Sequence, residues 1–538
     1  MSIYPMSRWR LYDSYEDGKE VAGRVKYVKL FSLIAWIILL IACINFMNLS
    51  TARSEKRARE VGVRKALGAA RDNLILQFIG ESLIMSFISV LLAIIIIYAA
   101  LPAFNNLVDK QLTIELFNPM HIAALLVITM LCGLIAGSYP AFYLSSFHPV
   151  TVLKGLNLKL GNSAGFIRKG LVIVQFAISV IFIVCTLIIY QQIQHVKNRN
   201  IGYNKSDLVY MNLTGNMKQN FDVIKNDLQQ TGLVENACLS NNLVLQLGSN
   251  TGDFSWEGKD PSKEILITLE AASPEYISTM GMKLKDGRDF YANVKSDSNN
   301  VIINESLAKM INKKNIVGSV ISRGDGSRFT VVGVVNDFLY NDMYSSPAPL
   351  ILFSDKTEYV NELTVRLKAK TDLKSALAKV EDVIKKDNPG YPVEYKFVDD
   401  TFSNMFQSES LIGTLAGLFA VLAIVISCLG LFGLAAYTAE QRKKEIGIRK
   451  VLGASIHGVA TLLSKEFLQL VGIACLVAFP IAWWMMHSWL QEYNYRIDIS
   501  VWIFVGAGLL SVLIALLTVC FQAIKAAVAN PVKSLRTE

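Results

Sequence analysis

The chain has 538 residues, of which 52% are hydrophobic and 18% are charged, and its mean hydropathy is +0.38. Ordinary soluble domains carry about 25% charged residues, so the composition excludes a typical soluble globular protein and favours a membrane protein with a soluble part. The formal net charge of +9 would suit a nucleic-acid-binding protein, but its distribution along the chain gives another explanation.

Seven apolar runs are long enough to cross a bilayer, which takes about 20 helical residues. They are Phe31–Leu49, Leu83–Leu101, Met120–Leu144, Leu171–Tyr190, Leu411–Tyr437, Phe467–Trp489 and Val501–Ala523. Short core helices are rarely so apolar: Met120–Leu144 contains no Asp, Glu, Lys or Arg. The runs predict a polytopic α-helical membrane protein with about seven transmembrane helices.

The excess positive charge lies in short loops between the apolar runs. Ser50–Asn73, Ser145–Gly170, Thr438–Leu462 and the tail after Ala523 contain seven, four, five and three Lys or Arg residues, whereas Pro102–Pro119 and Leu490–Ser500 contain one each. Cytoplasmic loops carry such an excess, so the four basic segments, including the C-terminus, are predicted to be cytoplasmic. The pattern predicts a multi-pass membrane protein with a cytoplasmic C-terminus and explains the charge without nucleic acid.

The long polar segment from Gln191 to Gln407 has 25 basic and 27 acidic residues and is predicted to be extracytoplasmic. Its strand-like and helix-like stretches indicate one α+β domain. The predicted elements are the strands DLVYMNL (Asp207–Leu213), RFTVVGVVNDF (Arg328–Phe338), NELTVRLKA (Asn361–Ala369) and PVEYKFVDDTF (Pro392–Phe402), the helices FDVIKNDLQQTG (Phe221–Gly232) and LKSALAKVEDVIKKDNPG (Leu373–Gly390), and turns at Asp286–Phe290 and Asp325–Ser327. This order fits two strand–helix–strand units with an insertion between them.

The sequence has no residue pattern typical of catalysis or metal binding. The five His are scattered without metal-ligand spacing, and six of the seven Cys lie in or beside the apolar runs, where cysteine behaves as a small hydrophobic residue. The adjacent acids Asp399 and Asp400 are predicted to lie in a solvated loop. We therefore predict no catalytic residues, no cofactor and no metal site, which disfavours a membrane-embedded enzyme.

A ten-residue phrase occurs twice, as EVGVRKALGA (Glu60–Ala69) and as EIGIRKVLGA (Glu445–Ala454), 385 residues apart. Further matches follow each copy: Glu81 with Glu466, and, after two more apolar runs, PVTVLK (Pro149–Lys154) with PVKSLR (Pro531–Arg536). The repeated unit is a span, the decamer, two spans and a P-V-x-x-L-basic ending, which indicates an internal duplication.

Each decamer has the pattern of a short amphipathic helix on the cytoplasmic side. Glu60 and Arg64 are four residues apart and can pair along one helical face, Val63 and Leu67 form an apolar stripe at the same spacing, and Gly68 stands where a C-capping glycine would end the helix. The second decamer has the same pattern 385 residues later. The decamer could be a basic flank lying on lipid headgroups or a docking helix for a cytoplasmic partner. Docking is favoured, because orientation requires only Lys and Arg and not the same order of Gly, Glu and Leu twice.

The stretches RSEKRAREVGVRKALGA and AEQRKKEIGIRKVLGA, with the matched acids and the closing P-V-x-x-L, resemble the FtsX/MacB/LolE-type permeases of ATP-binding-cassette (ABC) transporters. The resemblance covers Phe31–Lys154 and Phe166–Glu538, and the polar segment resembles a MacB-type periplasmic core domain. In that family the repeated segment is the coupling helix, which sits in a groove of the ATPase subunit. The coupling residues implied here are Glu60, Gly62, Arg64, Lys65, Leu67, Gly68, Glu445, Gly447, Arg449, Lys450, Leu452 and Gly453, with Glu81 and Glu466 as helix-entry acids.

The resemblance implies a location in the bacterial cytoplasmic (inner) membrane and a separate cytoplasmic ABC ATPase subunit as partner. The Walker A pattern G-x-x-x-x-G-K-[ST], which cradles ATP phosphates, occurs nowhere in these 538 residues. Membrane lipid is a second partner, and the resemblance also allows a periplasmic adaptor or an outer-membrane partner.

The implied function is that of a permease subunit that couples ATP hydrolysis by the separate ATPase to movements of the extracytoplasmic domain. This mechanotransmission would serve the export or extraction of a peptide, drug or lipoprotein-like cargo. The alternative is a non-transporting membrane scaffold or sensor that regulates an extracytoplasmic partner such as a wall hydrolase.

The repeat predicts the domain organisation: 1–29, remnant of a first extracytoplasmic domain; 30–155, first FtsX-like three-helix repeat; 156–192, cytoplasmic link and transmembrane helix; 193–407, MacB-like extracytoplasmic α+β domain; 408–538, second FtsX-like three-helix repeat. Copy one lacks the span and outer domain that precede the decamer in copy two, so the DNA upstream is expected to encode them. Residues 1–29 are expected to be disordered, because chains below about 40 residues rarely fold without disulfides or metals.

Overall fold

The computed structural model describes residues 6, 12, 14–16, 19–21, 25–145, 162–452 and 455–528. These residues belong to two compact units. The membrane unit comprises the described parts of 1–190, 411–488 and 498–538, and the outer unit comprises 191–410 together with 489–497.

Seven helices in the described part of the chain are long and apolar enough to cross a membrane. They are α1 (Val25–Ala66), α2 (Arg71–Val108), α3 (Pro119–Ser145), α4 (Asn162–Lys197), α10 (Gln407–Gln441), α12 (Ile456–Leu490) and α13 (Val501–Val528), and the short helix α11 (Lys443–Val451) lies between α10 and α12. The predicted class, a polytopic α-helical membrane protein, is confirmed. The first repeat contains α1, α2 and α3, and the second contains α10 to α13.

Polar side chains join α1, α4 and α10 inside the membrane unit. The Ser179 and Ser427 hydroxyls are 2.9 Å apart, and the Gln175 amide donates to the Ile426 carbonyl at 3.3 Å. Asn45 of α1 donates to the same carbonyl at 3.5 Å. Since apolar surface gains little from burial against another helix in lipid, such hydrogen bonds and close packing hold transmembrane helices together.

The outer unit is built around one large mixed sheet. Its strands are β3 (Leu208–Asn212), β4 (Val234–Ser240), β5 (Ser249–Thr251), β6 (Phe254–Ser255), β7 (Ile267–Ala272), β8 (Leu284–Gly287), β9 (Asn300–Asn304), β10 (Val320–Arg323), β11 (Arg328–Val335), β12 (Leu350–Ser354), β13 (Glu362–Leu367) and β14 (Lys396–Phe397). Its helices are α5 (Phe221–Gln230), α6 (Tyr276–Met280), α7 (Glu305–Ile311), α8 (Leu373–Asp387) and α9 (Val398–Met405).

The sheet has two lobes, and the first is a split pair of strand–helix–strand units, as the sequence predicts. Its strand order is β14-β3-β13-β4, and α5 and α8 cover one face with buried residues such as Phe221 and Val380. The second lobe, in the order β7-β12-β9-β11-β10-β6, is inserted between β4 and β13. Between β4 and β7 the strand pairing joins the lobes at one residue pair, Ser240 with Ala272.

The chain enters and leaves the second lobe at adjacent points. The Asn361 backbone N–H donates to the Ser240 carbonyl at 2.8 Å, and the Asn361 side-chain amide donates to Asn241 Oδ1 at 2.7 Å. The second lobe is therefore a continuous insertion whose two ends are fastened to each other.

The predicted strand Pro392–Phe402 is wrong over most of its length. Only Lys396–Phe397 pairs with β3, and the residues from Val398 onward form α9. The reason is that Val398 and Phe402, four residues apart, are both buried on one helical face. Asp399 and Asp400 are exposed, as expected of solvated acids, but in the first turn of α9 rather than in a loop.

The N-terminal segment is not wholly without structure, contrary to the expectation for 1–29. Ser14–Glu16 (β1) pairs antiparallel with Lys19–Val21 (β2), and α1 already begins at Val25. The two P-V-x-x-L endings, Pro149–Lys154 and Pro531–Arg536, lie outside the described residues.

Candidate functional site

The first decamer is not a separate short helix, and this prediction is wrong for copy one. Its residues Glu60–Ala66 form the last turns of α1, which runs unbroken for 42 residues from Val25. The sequence contains no Gly or Pro between Val25 and Glu60, so nothing stops the helix where the apolar span ends. The decamer is therefore a direct extension of a membrane-spanning helix.

The predicted helix stop at Gly68 is confirmed. Gly68 has φ of +94°, its N–H donates to the Lys65 carbonyl at 3.0 Å, and the Ala69 N–H donates to the Arg64 carbonyl at 3.0 Å. These two bonds define a Schellman motif, in which a left-handed residue ends the helix. No neighbouring atom lies within 4 Å of a Cβ built on Gly68, so backbone conformation, and not space, requires glycine.

The second decamer does form a separate helix, α11 (Lys443–Val451), after a turn at Arg442. The break is slight, because the Ile446 N–H still donates to the Arg442 carbonyl at 2.8 Å. Gly453, the predicted stop, lies outside the described residues.

The two decamers bury and expose equivalent positions. Val61 lies in one buried cluster with Leu74 of α2 and Ala141 of α3, and Ile446 lies in another with Ala460 of α12 and Ala523 of α13. The apolar stripes point the other way: Leu67 is 83% exposed and Leu452 is 80% exposed, and Val63 and Ile448 are exposed too. Each decamer thus rests on the next two spans of its own repeat and presents two apolar side chains outward.

Both predicted ion pairs form. Arg64 Nη2 is 2.7 Å from Glu60 Oε1, and Arg449 Nη2 is 2.8 Å from Glu445 Oε1. All four side chains are about half exposed, so each pair contributes only about 0.3–0.5 kcal/mol to the helix. The pairs therefore orient the arginines on the exposed face more than they stabilise it.

The helix-entry acids are connected to this region in two different ways. In copy one, Arg64 donates to Gln77 Oε1 at 2.8 Å and Gln77 donates to Glu81 at 3.2 Å. In copy two, Glu466 pairs with Arg442 at 2.7 Å. Sequence reasoning missed Gln77 and Arg442 as partners, although Arg442 lies in the repeated stretch and Gln77 precedes Glu81 by one helical turn.

In copy one, a lysine and an arginine side chain also donate hydrogen bonds to the last residue of α3. Lys65 donates to the Ser145 carbonyl, and Arg71 Nε donates to Ser145 Oγ at 3.4 Å. Of the remaining predicted residues, Gly62 lies in α1, and Gly447 and Lys450 lie in α11. The candidate site is thus the decamer of each repeat, a basic and partly apolar surface that is supported by the next two spans of the same repeat.

Two carboxyl groups in the outer unit titrate unusually. Glu270 is fully buried and accepts hydrogen bonds from the Asn242 backbone N–H at 2.9 Å and from its side-chain amide at 3.0 Å. Burial raises the pKa of Glu270 to about 7, and burial also raises the pKa of Glu362 to about 7. Among the described residues, no three His, Cys, Asp or Glu side chains are grouped as ligands for a metal ion.

Two family models match the chain. The model described as "FtsX-like permease C-terminal" matches residues 32–149 and 417–531, and "MacB-like periplasmic core domain" matches residues 171–383. The first model thus matches twice, once in each repeat, and the second lies between the two matches.

The relatives are named as permease or ATP-binding/permease proteins. The uncharacterized ABC transporter permease YknZ of Bacillus subtilis is 24% identical over 305 residues, which cover 55% of this chain and 76% of YknZ. The macrolide export ATP-binding/permease protein MacB of Neisseria meningitidis serogroup A is 25% identical over 304 residues, covering 53% of this chain and 45% of MacB. The MacB of Bdellovibrio bacteriovorus is 33% identical over 129 residues, covering 23% of this chain and 19% of that protein. The chain therefore spans less than half the length of these MacB relatives.

Among solved structures, the periplasmic region of MacB from Actinobacillus actinomycetemcomitans matches with a TM-score of 0.28 and 17% identity, over 39% of this chain and 97% of that region. The sequence models, the duplicated decamer and the seven apolar helices agree with one another. The chain belongs to the FtsX/MacB/YknZ-type permeases of ABC transporters, and it is an inner-membrane protein in which the match to a MacB-like periplasmic core domain lies between two matches to the FtsX-like model.

Proposed function

We propose that this chain is a permease subunit that couples ATP hydrolysis by a separate cytoplasmic ABC ATPase to movements of its outer unit. The observation that carries this proposal is the pair of equivalent decamers. Each decamer exposes an arginine and, three residues later, a leucine. Arg64 and Leu67 form this pair in copy one, and Arg449 and Leu452 form it in copy two. An exposed leucine beside a guanidinium suits a groove that offers apolar surface and acidic groups.

The packing behind each decamer supports coupling rather than docking alone. Val61 shares a buried cluster with residues of α2 and α3, and Ile446 shares one with residues of α12 and α13. Cores are close-packed, so a force on a decamer is transmitted to two membrane helices at once. In copy one the force would also act directly on a third helix, because the decamer forms the C-terminal end of α1 itself.

The cargo proposed is a peptide, a drug or a lipoprotein-like molecule. Relatives named for macrolide export support a drug-like cargo, and the outer unit is the part of the chain that would engage it. Lipid would surround α2 and α12, which expose large apolar side chains such as Ile96 and Leu476.

Charge reversal tests the docking. Arg64→Glu combined with Arg449→Glu should abolish co-purification of the ATPase subunit, because the two exposed guanidinium groups would become carboxylates facing an acidic groove. The matched control, Lys110→Glu with Arg496→Glu, reverses two charges in the predicted outer loops and should leave co-purification unchanged. If the double arginine variant inserts normally and still recruits the ATPase, the decamers are topogenic flanks, and the scaffold or sensor alternative gains.

Orientation is tested by cysteine labelling. All seven native cysteines are buried or half-buried, so new exposed thiols should dominate labelling by a membrane-impermeant maleimide. Asp325→Cys should react in intact cells, whereas Leu67→Cys and Leu452→Cys should react only after the membrane is opened. Labelling with the opposite pattern would invert the topology and remove the basis for ATPase docking.

A further inference from the structure

The loop between the last two membrane helices belongs to the outer unit. Trp489–Ile497, called here the 489–497 loop, groups with residues 191–410, although the chain on both sides of it belongs to the membrane unit. From Tyr493 to Ile497 its residues alternate between half-buried and exposed, and Tyr493, Tyr495 and Ile497 are the half-buried ones. This alternation is that of an extended segment lying on a surface.

Gln192, near the end of α4, fixes the backbone of this loop. Its side-chain Nε2 donates to the Tyr495 carbonyl at 2.9 Å, and its Oε1 accepts from the Ile497 N–H at 2.9 Å. Gln192 is buried, so loss of these bonds would leave buried polar groups unpaired, at a cost that exceeds the net value of the bonds.

Tyr495 is the side chain on which the contacts converge. The His195 ring stacks on it with centroids 4.5 Å apart and an interplanar angle of 9°, and the Arg199 guanidinium lies 3.9 Å from the centre of the same ring. Arg199 also donates to the carbonyls of Met343 at 2.9 Å and Ser345 at 2.8 Å. Burial lowers the Arg199 pKa, and the nearby Tyr495 and Asp342 oppose this.

A second segment of the outer unit is held by the same contacts. The Tyr495 N–H donates to the Tyr344 carbonyl at 2.9 Å, and the rings of Tyr344 and Tyr493 lie 4.8 Å apart. Tyr344 in turn packs against Phe406 in the core of the outer unit. The loop, the end of α4 and the segment around Tyr344 are therefore tied together through Tyr495.

We propose that the 489–497 loop is a coupling contact, and that Gln192 and Tyr495 are its positioning residues. The inference rests on the proposed function. The loop is covalently continuous with α12 and α13, on which the second decamer rests, so a displacement of those helices reaches the outer unit through Tyr495 as well as through α4 and α10. Gln192, Tyr495 and the segment around Tyr344 all belong to the outer unit, so the contact is formed within that unit.

The contact itself is tested by cross-linking in the full chain. Gln192→Cys with Ile497→Cys should form a disulfide under mild oxidation, mapped by mass spectrometry. Gln192→Cys with Arg496→Cys is the matched control, because Arg496 is exposed in the alternate position of the loop, and it should cross-link at least fivefold less. Equal yields, or no cross-link in either pair, would overturn the proposal.

Coupling is tested with the ATPase complex in nanodiscs. A non-hydrolysable ATP analogue should change hydrogen exchange in the segment around Tyr344, and Tyr495→Ala should reduce that change at least threefold. Tyr495→Phe keeps the ring and should restore it. Lys110→Ala, the position that corresponds to Tyr495 in copy one, should have no effect.

The outcomes separate this inference from the proposed function. If Tyr495→Ala still binds the ATPase and the nucleotide response is undiminished, the coupling contact is wrong while the permease proposal stands. If the unaltered chain recruits no ATPase, the proposed function is wrong and coupling through this loop falls with it, whatever the cross-link yields.

Discussion

The two repeats are alike at their decamers and differ in the loops at the opposite ends of their helices. In the first decamer Val61 is buried and Leu67 is exposed, and in the second Ile446 is buried and Leu452 is exposed. In the loop after α2, however, Asn105 of α2 itself binds both backbone groups of Leu112, at 3.0 and 3.1 Å. The corresponding loop of the second repeat has its backbone bound by Gln192, a residue of another helix.

This difference shows which parts of a duplicated unit are constrained together. The decamers kept the same pattern, which is expected if both meet equivalent surfaces of a partner. The outer loops diverged: the loop of copy one is fastened to its own helix, whereas that of copy two is fastened to the outer unit. Tyr495 corresponds to Lys110 in copy one, which has no ring to stack.

The largest expected effect comes from reversing one arginine at a time. Arg64→Glu and Arg449→Glu should each weaken ATPase binding by about 2–5 kcal/mol, the range for losing one buried charge pair at an interface. Affinity measured with purified ATPase should fall equally for both. The swap of Glu60→Arg with Arg64→Glu keeps an ion pair within the helix, so a loss of binding there separates docking from helix stability. A reversal without effect in one copy would show that only the other decamer docks.

Glu270 should make the stability of the outer unit depend on pH. Its pKa rises from 4.5 to about 7 on folding, so the folded state binds more protons than the unfolded state. The contribution of protonated Glu270 to the free energy of unfolding is therefore complete below about pH 4.5 and is lost as the pH rises through about 7. Glu270→Gln should remove a dependence on the order of 3 kcal/mol, since one pKa unit is worth about 1.4 kcal/mol. Pulse proteolysis of the outer unit in urea at pH 5 and pH 8 measures this.

The control for the pH experiment is Glu264→Gln, which removes an exposed carboxyl from the same region. It should leave the pH dependence unchanged. Glu362, whose pKa is also raised by burial, should supply the dependence that remains in Glu270→Gln. A flat profile for the unaltered chain would contradict the assignment.

The helix packing of the two repeats can be separated by a glycine substitution in each. A Cβ at Gly137 of α3 would lie 2.7 Å from Ser82 Oγ and 2.8 Å from Ser82 Cβ, whereas at Gly508 of α13 the nearest atom is Phe479 Cζ at 3.2 Å. Gly137→Val should therefore destabilise the chain by about 1–3 kcal/mol, the usual cost of overpacking. Gly508→Val should cost less, because a ring edge can shift. Thermal unfolding in detergent that ranks them the other way would refute this account of α2–α3 packing.

The smallest effect is expected at the helix stop. Gly68→Ala places a Cβ on a left-handed residue, which costs about 1–2 kcal/mol, although the space around it is empty. Gly472→Ala in α12 is the control, since it also meets no neighbour but lies within a helix, where alanine is favoured. Thermal unfolding should show a loss for the first variant and none for the second.

Local pattern predicted the spans, the decamer ion pairs, the Gly68 stop and the split strand–helix–strand lobe, because each depends on neighbouring residues. It failed where distant contacts decide. Nothing local shows that Glu466 pairs with Arg442 or that Tyr495 lies against Arg199. The roles of the decamer residues in docking remain predictions.

The adjacent ends of the second lobe have an evolutionary consequence. Because Ser240, Asn241 and Asn361 hold the entry and exit of the insertion side by side, the first lobe closes its own sheet without help from the inserted residues. Insertions are best tolerated where the flanking chain ends lie close together. The second lobe can therefore vary in length at its far strands, β10 and β6, whereas inserted residues that share a core with the first lobe, such as Tyr276 and Met280, are constrained.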